Sequence, residues 1–126
     1  MNDLNLEATQ STPAIATDRA NGRLIMRGDS YPENSYEFFA PLFDWVRQYL
    51  RDEETPLHLE LHLLYLNTSS VKTMMDIFDL LEEAHAAGRE VSVRWFYDLE
   101  NERVADLAEE FKEDCTFPFG IVPSNG

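Results

Sequence analysis

Residues 57–66 read Leu57-His58-Leu59-Glu60-Leu61-His62-Leu63-Leu64-Tyr65-Leu66. Leu57, Leu59, Leu61 and Leu63 alternate with His58, Glu60 and His62, the period of two that sends apolar side chains to one face of a β-strand and polar ones to the other. The alternation fails after Leu63, where Leu64 and Leu66 make both faces apolar. A strand wet on one side at its start and buried on both at its end suits the centre of a one-sided sheet.

On the C-terminal side, Asn67 to Ser70 form a short polar break. Val71, Met74, Met75, Phe78 and Leu81 then recur at helical spacing, and Ile77 and Leu80 widen the stripe. Gly88 suits the residue just past that helix. Glu90 to Tyr97 (EVSVRWFY) is a second strand with Val91, Val93, Trp95 and Tyr97 on one face. Val104, Leu107, Ala108 and Phe111 mark a third helix, and Thr116 to Val122 a short last strand that Pro118 and Gly120 weaken.

On the N-terminal side, Asn34 with Glu37 reads as a capping box. Phe39, Leu42, Phe43, Val46 and Leu50 continue it as the first amphipathic helix, with Pro41 distorting it locally and Pro56 beyond its end. Gly28 to Asn34 is a loop and Arg23 to Arg27 a strand. Asn21-Gly22 is a two-residue hairpin turn, and Thr12 to Thr17 an edge strand that tolerates Pro13. The expected order is β-β-α-β-α-β-α-β: an α/β fold with a mixed sheet of four to five strands and three helices mainly on one face. Residues 1–10 are expected to be loose and residues 11–126 to form a single domain.

The 126 residues suit one core, and a 44% apolar content with eight Phe, five Tyr and two Trp can fill it. Ten basic residues against twenty-four acidic ones leave a formal charge of −14. That balance opposes nucleic-acid phosphates and anionic lipid, and favours solubility or a partner with a basic surface. The lone Cys115 forms no internal disulfide. Neither a signal peptide nor an apolar run long enough for membrane insertion stands out, so the expected location is the cytoplasm.

Candidate chemistry is sparse. His58, Glu60 and His62 share a strand face, but residues four apart on a strand are about 13 Å apart, too far for one metal ion to join both histidines. A solvated face with a His–Glu neighbour is the plainer reading. Asp76, Asp79, Glu82 and Glu83 crowd one helix without a nucleophile or phosphate cradle nearby. Cys115 has no catalytic signature around it, and no G-x-S-x-G, P-loop, C-x-x-C or H-E-x-x-H motif occurs. No cofactor, metal or catalytic residue is implied.

The Asn67-Thr68-Ser69-Ser70 run is first a helix N-cap. The same place also suits a regulatory phosphate. The strand delivers a hydroxyl to the sheet edge, and the helix offers free N–H groups and the positive end of its dipole.

Three strings are more specific: Gly28-Asp29-Ser30-Tyr31-Pro32-Glu33-Asn34-Ser35-Tyr36-Glu37, Leu64 to Ser70 (LYLNTSS), and Met74 to His85 (MMDIFDLLEEAH). Together with Asn101 to Ala105 and Ala108 to Phe111, they closely resemble the SiaC family of bacterial biofilm regulators. The resemblance covers nearly the whole chain. It implies a fold like the STAS domains of anti-anti-sigma factors and a partner-switching role without catalysis. It further implies phosphorylation of Thr68 by a serine/threonine kinase with a histidine-kinase-like ATP fold, and removal of that phosphate by a metal-dependent serine/threonine phosphatase. The dephosphorylated form is then expected to bind and activate a membrane diguanylate cyclase, raising cyclic di-GMP and promoting biofilm formation. An anti-anti-sigma module acting on an anti-sigma kinase is the alternative. The expected docking face comprises Tyr31, Glu33, Asn34 and Ser35 on the loop, and Asn67, Ser69, Ser70, Lys72 and Asp76 around the second helix.

Overall fold

The computed structural model describes residues 2–124. Its elements are β1 (Asn5–Leu6), β2 (Ala14–Asp18), β3 (Arg23–Ser30), α1 (Ser35–Asp52), β4 (Leu57–Leu66), α2 (Thr68–Ala86), β5 (Val91–Asp98), α3 (Glu102–Glu113) and β6 (Phe119–Ser124). The strands form one sheet in sequence order. The β1/β2 and β2/β3 pairs are antiparallel, and β3/β4, β4/β5 and β5/β6 are parallel. Each parallel step passes through one helix. Three successive right-handed crossovers in one direction put α1, α2 and α3 on the same face.

This is the expected mixed α/β sheet with one helical face, but it has six strands instead of four to five. The additional strand is β1, within the segment expected to be loose. Asn5 and Leu6 pair with Ala16 and Ile15. Asp3 Oδ1 accepts from Thr17 Oγ1 at 2.9 Å, from Arg19 N at 3.0 Å and from Trp45 Nε1 at 3.2 Å. One carboxylate therefore ties the polar N-terminus to the sheet and to α1. The β2–β3 connection is also longer than a two-residue turn. It spans residues 19–22, and the Asp18 carboxylate accepts from Asn21 N and Nδ2 at 3.2 and 2.7 Å.

The inward residues of β4 are those its alternation picked out: Leu57, Leu59, Leu61 and Leu63 are all buried. The end of the strand differs from expectation. Gly28 of β3 pairs with Leu63, but Asp29 pairs with Tyr65, which leaves Leu64 unmatched. That extra residue is a β-bulge. Leu66 returns to the core, while Leu64 and Tyr65 are 53% and 55% exposed. The lost alternation therefore marks a change of phase, not burial on both faces. β3 likewise runs on to Ser30, three residues into the expected loop, because Asp29 and Ser30 pair with Tyr65 and Leu66.

The helices begin as read. The Asn34 side chain accepts from Glu37 N at 3.1 Å and donates from Nδ2 to Glu37 Oε2 at 3.3 Å. α1 runs unbroken through Pro41. Its buried stripe is Phe39, Leu42, Trp45, Val46 and Tyr49, with Phe43 and Leu50 only partly covered. Trp45 and Tyr49 enter the core because their polar tips find partners: Asp3 for the indole, and the Pro56 carbonyl at 2.9 Å for the phenol. In α2, Met74, Ile77, Phe78 and Leu81 are buried, while Met75 is exposed. Gly88, at φ +93°, follows the Ala87 C-cap. Val104, Ala108 and Phe111 anchor α3. The last strand starts at Phe119, later than expected, just past Pro118.

The other sheet face carries a cross-strand grid. Arg23 lies beside His58, Ile25 beside Glu60 and Arg27 beside His62, while His58 and Glu60 pair with Ser92 and Arg94. His62 stacks on Phe96 with ring centroids 4.7 Å apart. Its Nε2 meets Glu60 Oε2 at 2.9 Å, whereas His58 Nδ1 meets Ser92 Oγ at 2.5 Å. The two histidines thus serve different partners. Among the described residues, no group of three or more His, Cys, Asp or Glu side chains converges as a metal site would.

The hydrogen bond from His62, then the charges of His62, Arg23 and Arg27, hold the Glu60 carboxyl below its usual range. Folded Glu60 therefore resists protonation, and its contribution is complete above the ordinary Glu range and lost as pH falls below it. Glu60→Gln should lower stability at pH 7 by about 1 kcal/mol or less and flatten the decline at acidic pH. Urea denaturation at pH 7 and pH 4 checks both.

Candidate functional site

β3, β4 and β5 end along one edge of the sheet, and a helix begins just beyond each. An asparagine caps every start: Asn34 for α1, Asn67 for α2 and Asn101 for α3. Asn67 is the most heavily used. Its Oδ1 accepts from Ser70 N at 2.9 Å, its carbonyl accepts from Val71 N at 2.9 Å, and its own N donates to the Ser30 carbonyl at 2.9 Å. Its Nδ2 reaches the Pro32 carbonyl at 3.4 Å.

The N-cap expected somewhere in residues 67–70 is therefore Asn67. Thr68 is the first residue of α2 and is exposed. Its hydroxyl is outside the cap, so the helix does not depend on it. No acidic side chain occupies the first turn of α2. Lys72, one turn on and on the same helical face as Thr68, holds Asp76 at 3.0 Å. A phosphate on Thr68 would meet helix amides and an ammonium, which makes it compatible with the folded helix.

The hydroxyls beside Thr68 are placed differently. Ser70 Oγ lies 2.7 Å from Ser30 Oγ, and Ser69 Oγ lies 2.7 Å from Ser35 Oγ. Ser30, Ser35 and Ser70 are buried. These contacts lock the end of β3 and the starts of α1 and α2 together. Ser35 and Ser70 were expected in the docking face, and their burial removes them from direct contact with a partner. Tyr31, Glu33, Asn34, Ser69 and Lys72 remain exposed, and Asp76 is half-buried.

The bulge brings to this edge residues that sequence reasoning did not assign to a site. Tyr65 meets Tyr31 edge-on, with centroids 5.9 Å apart. Asn101 Nδ2 donates to the Leu64 carbonyl at 3.1 Å and ties down the β5–α3 loop, which carries exposed Leu99. Tyr36, on the first turn of α1, is 82% exposed. Tyr31, Tyr36, Leu64, Tyr65 and Leu99 thus give an acidic protein an aromatic, apolar rim at the edge that presents Thr68. The break in alternation at Leu64 was the signal for two of them.

The remaining candidates disperse. Within the acidic cluster of α2, Asp76 pairs with Lys72, and Glu82 accepts from Thr116 N at 2.8 Å and Thr116 Oγ1 at 2.5 Å. Burial, then the nearby charges of Glu82, Asp114 and Asp79, pushes the Cys115 thiol up to about 11, which keeps it protonated at neutral pH. No helix among the described residues is long and apolar enough to cross a membrane.

Comparison with known proteins gives the family and the fold. The family model described as SiaC family regulatory phosphoprotein matches residues 6–124. A curated relative from Pseudomonas aeruginosa (strain UCBPP-PA14), itself named only as an uncharacterised protein, is 66% identical over 96% of each chain. The crystal structure of apo-SiaC from Pseudomonas aeruginosa matches with a TM-score of 0.93 and 64% identity, covering 97% of this chain and 99% of that one. A chain in the crystal structure of the diguanylate cyclase SiaD in complex with its activator SiaC, also from Pseudomonas aeruginosa, matches with a TM-score of 0.94 and 65% identity, covering 97% of this chain and all of that one. Matched across nearly its whole length in sequence and in fold, the chain belongs to the SiaC family of regulatory phosphoproteins.

Proposed function

We propose that this protein is a non-catalytic, cytoplasmic partner switch, a single regulatory domain that includes β1, with Thr68 as its phosphorylation site. The unmodified form binds and activates a diguanylate cyclase, so that cyclic di-GMP rises and biofilm formation follows. A serine/threonine kinase with a histidine-kinase-like ATP fold adds the phosphate, and a metal-dependent serine/threonine phosphatase removes it. One observation carries this reading: Thr68 is exposed at the start of α2 while Asn67 makes the cap. The side chain is therefore available to enzymes and dispensable to the helix. The similarity to a SiaC crystallised with the cyclase it activates supports the choice of partner.

The docking face centres on Thr68 and on the rim of Tyr31, Leu64 and Tyr65, with Glu33, Asn34, Ser69, Lys72 and Asp76 at its border. Exposed aromatic side chains at such a rim are the type that dominates interface energetics. Tyr65→Ala should weaken cyclase binding by about 2 kcal/mol, roughly thirtyfold, with little loss of fold stability. Calorimetric titration of the cyclase with wild type and variant checks this. The reading as a whole is tested by mapping phosphosites on protein recovered from cells with and without the kinase. Phosphate on Thr68 only when the kinase is present is expected. A chain that stays unmodified under both conditions contradicts the reading.

A further inference from the structure

Thr68, Ser69 and Ser70 are three hydroxyls in a row, and only one of them is left free. Ser70 is fully buried and bonded to Ser30. Ser69 is exposed, yet its Oγ sits 2.7 Å from Ser35 Oγ and donates to Asn67 Oδ1 at 3.2 Å. Asn67 Oδ1 can only accept, so both contacts are kept together when Ser69 donates to Asn67 and Ser35 donates to Ser69. Both the proton and a lone pair of Ser69 are therefore engaged. Ser35 also stands 3.4 Å from Ser70 Oγ, so one buried side chain addresses both serines. Thr68 takes no part in this chain of hydroxyls.

We propose that Ser35 is a specificity-determining positioning residue: by holding the Ser69 hydroxyl, it confines phosphorylation to Thr68. The inference rests on the reading of Thr68 as the modified residue. In the transfer step the hydroxyl oxygen attacks the γ-phosphorus of the kinase's ATP. An O–P bond forms, the bond to the ADP leaving group breaks, and the hydroxyl proton passes to a base of the kinase. A serine that has already committed its proton and a lone pair must break two hydrogen bonds to reach that arrangement, whereas Thr68 breaks none of this network. Two bonds of ordinary net strength correspond to at least a tenfold preference.

The test uses full-length chains expressed in Pseudomonas aeruginosa cells lacking their own SiaC, with phosphosites located by mass spectrometry. Wild type should carry phosphate on Thr68 alone. Thr68→Ala should carry none on Ser69. Thr68→Ala combined with Ser35→Ala should carry phosphate on Ser69, at least about tenfold above the single variant. Ser35→Cys in the same background fills the site with a slightly larger side chain that makes only a weak hydrogen bond, and gives the same reading if alanine leaves a void. Melting curves show that each variant is folded.

Ready phosphorylation of Ser69 in the Thr68→Ala chain overturns the proposal, because Ser69 would then not be protected. A folded double variant with no phosphate on Ser69 overturns it too. In both cases phosphate on wild-type Thr68 leaves the proposed function standing. An unmodified Thr68 in the wild type overturns that function and this inference together.

Discussion

Phosphorylation of Thr68 should weaken binding to the diguanylate cyclase about a hundredfold, with the fold unchanged. The phosphate adds about −1.5 to −2 charges at neutral pH. In the free protein it is comfortable: α2 presents its amides there, and Lys72 lies one turn away on the same face. In a complex the same group would be pressed against a partner beside Tyr31 and Tyr65, where an unpaired charge loses its water. Only about 2.7 kcal/mol of that penalty is needed for a hundredfold loss. A local charge thus suffices, and no rearrangement of the sheet or helices is required. Thr68→Ala should bind constitutively. Thr68→Asp, with a single charge and different geometry, should bind poorly but less poorly than the phosphoprotein. Titration of the three forms against the cyclase measures the differences, and far-UV circular dichroism should be the same for all.

Gly22→Ala should be the most damaging single-methyl substitution at the opposite end of the sheet. Gly22 has φ +63°, in the left-handed region that costs an alanine about 1 kcal/mol or more. Space is the larger problem. A Cβ there would lie 2.0 Å from the Pro56 carbonyl oxygen and 2.6 Å from Tyr49 Oη. The first of these is backbone and cannot simply swing aside. The Gly22 carbonyl also accepts from His58 N at 2.8 Å, the bond that opens the β3–β4 ladder. Moving Gly22 away from Pro56 therefore disturbs the start of the central strand and the hydrogen bonds of Tyr49. A loss of about 3 kcal/mol is expected, seen as a fall in Tm on the order of 10 °C. Gly88→Ala makes a useful control. Gly88 has a positive φ as well, but a Cβ there meets nothing within 4 Å, so only the conformational cost remains.

Periodicity was legible wherever one face of an element is buried and the other is wet. Leu57 to Leu63, the Val91-Val93-Trp95 face and the α2 stripe of Met74, Ile77, Phe78 and Leu81 lie where their spacing put them, with Met75 alone of the α2 stripe turned out to solvent. Polar contacts at long range were not legible. β1 is two residues long and is held by the Asp3 carboxylate and the Leu4 amide on the Thr17 hydroxyl, side-chain contacts that no strand pattern marks. Trp45 and Tyr49 replace Phe43 and Leu50 in the α1 stripe because Asp3 and Pro56 satisfy their polar ends. The bulge at Leu64 showed in the sequence as a broken alternation, and burial on both faces was the wrong reading of it. The placement of Thr68 at the start of α2 was legible because a polar run between a core strand and an amphipathic helix has to sit at a helix start. The burial of Ser35 and Ser70 was not, since serine has no apolar signature and their enclosure depends on Ser30, forty residues before Ser70.

In the proposed function, a charge on one hydroxyl at the start of α2 decides whether the partner is engaged. The most direct measurement is the rate of cyclic di-GMP synthesis by the purified cyclase, titrated with unmodified protein and with protein stoichiometrically phosphorylated on Thr68. Stimulation by the unmodified form, with the phosphorylated curve displaced about a hundredfold to higher concentration, is the expected result. Superimposable curves would contradict the account.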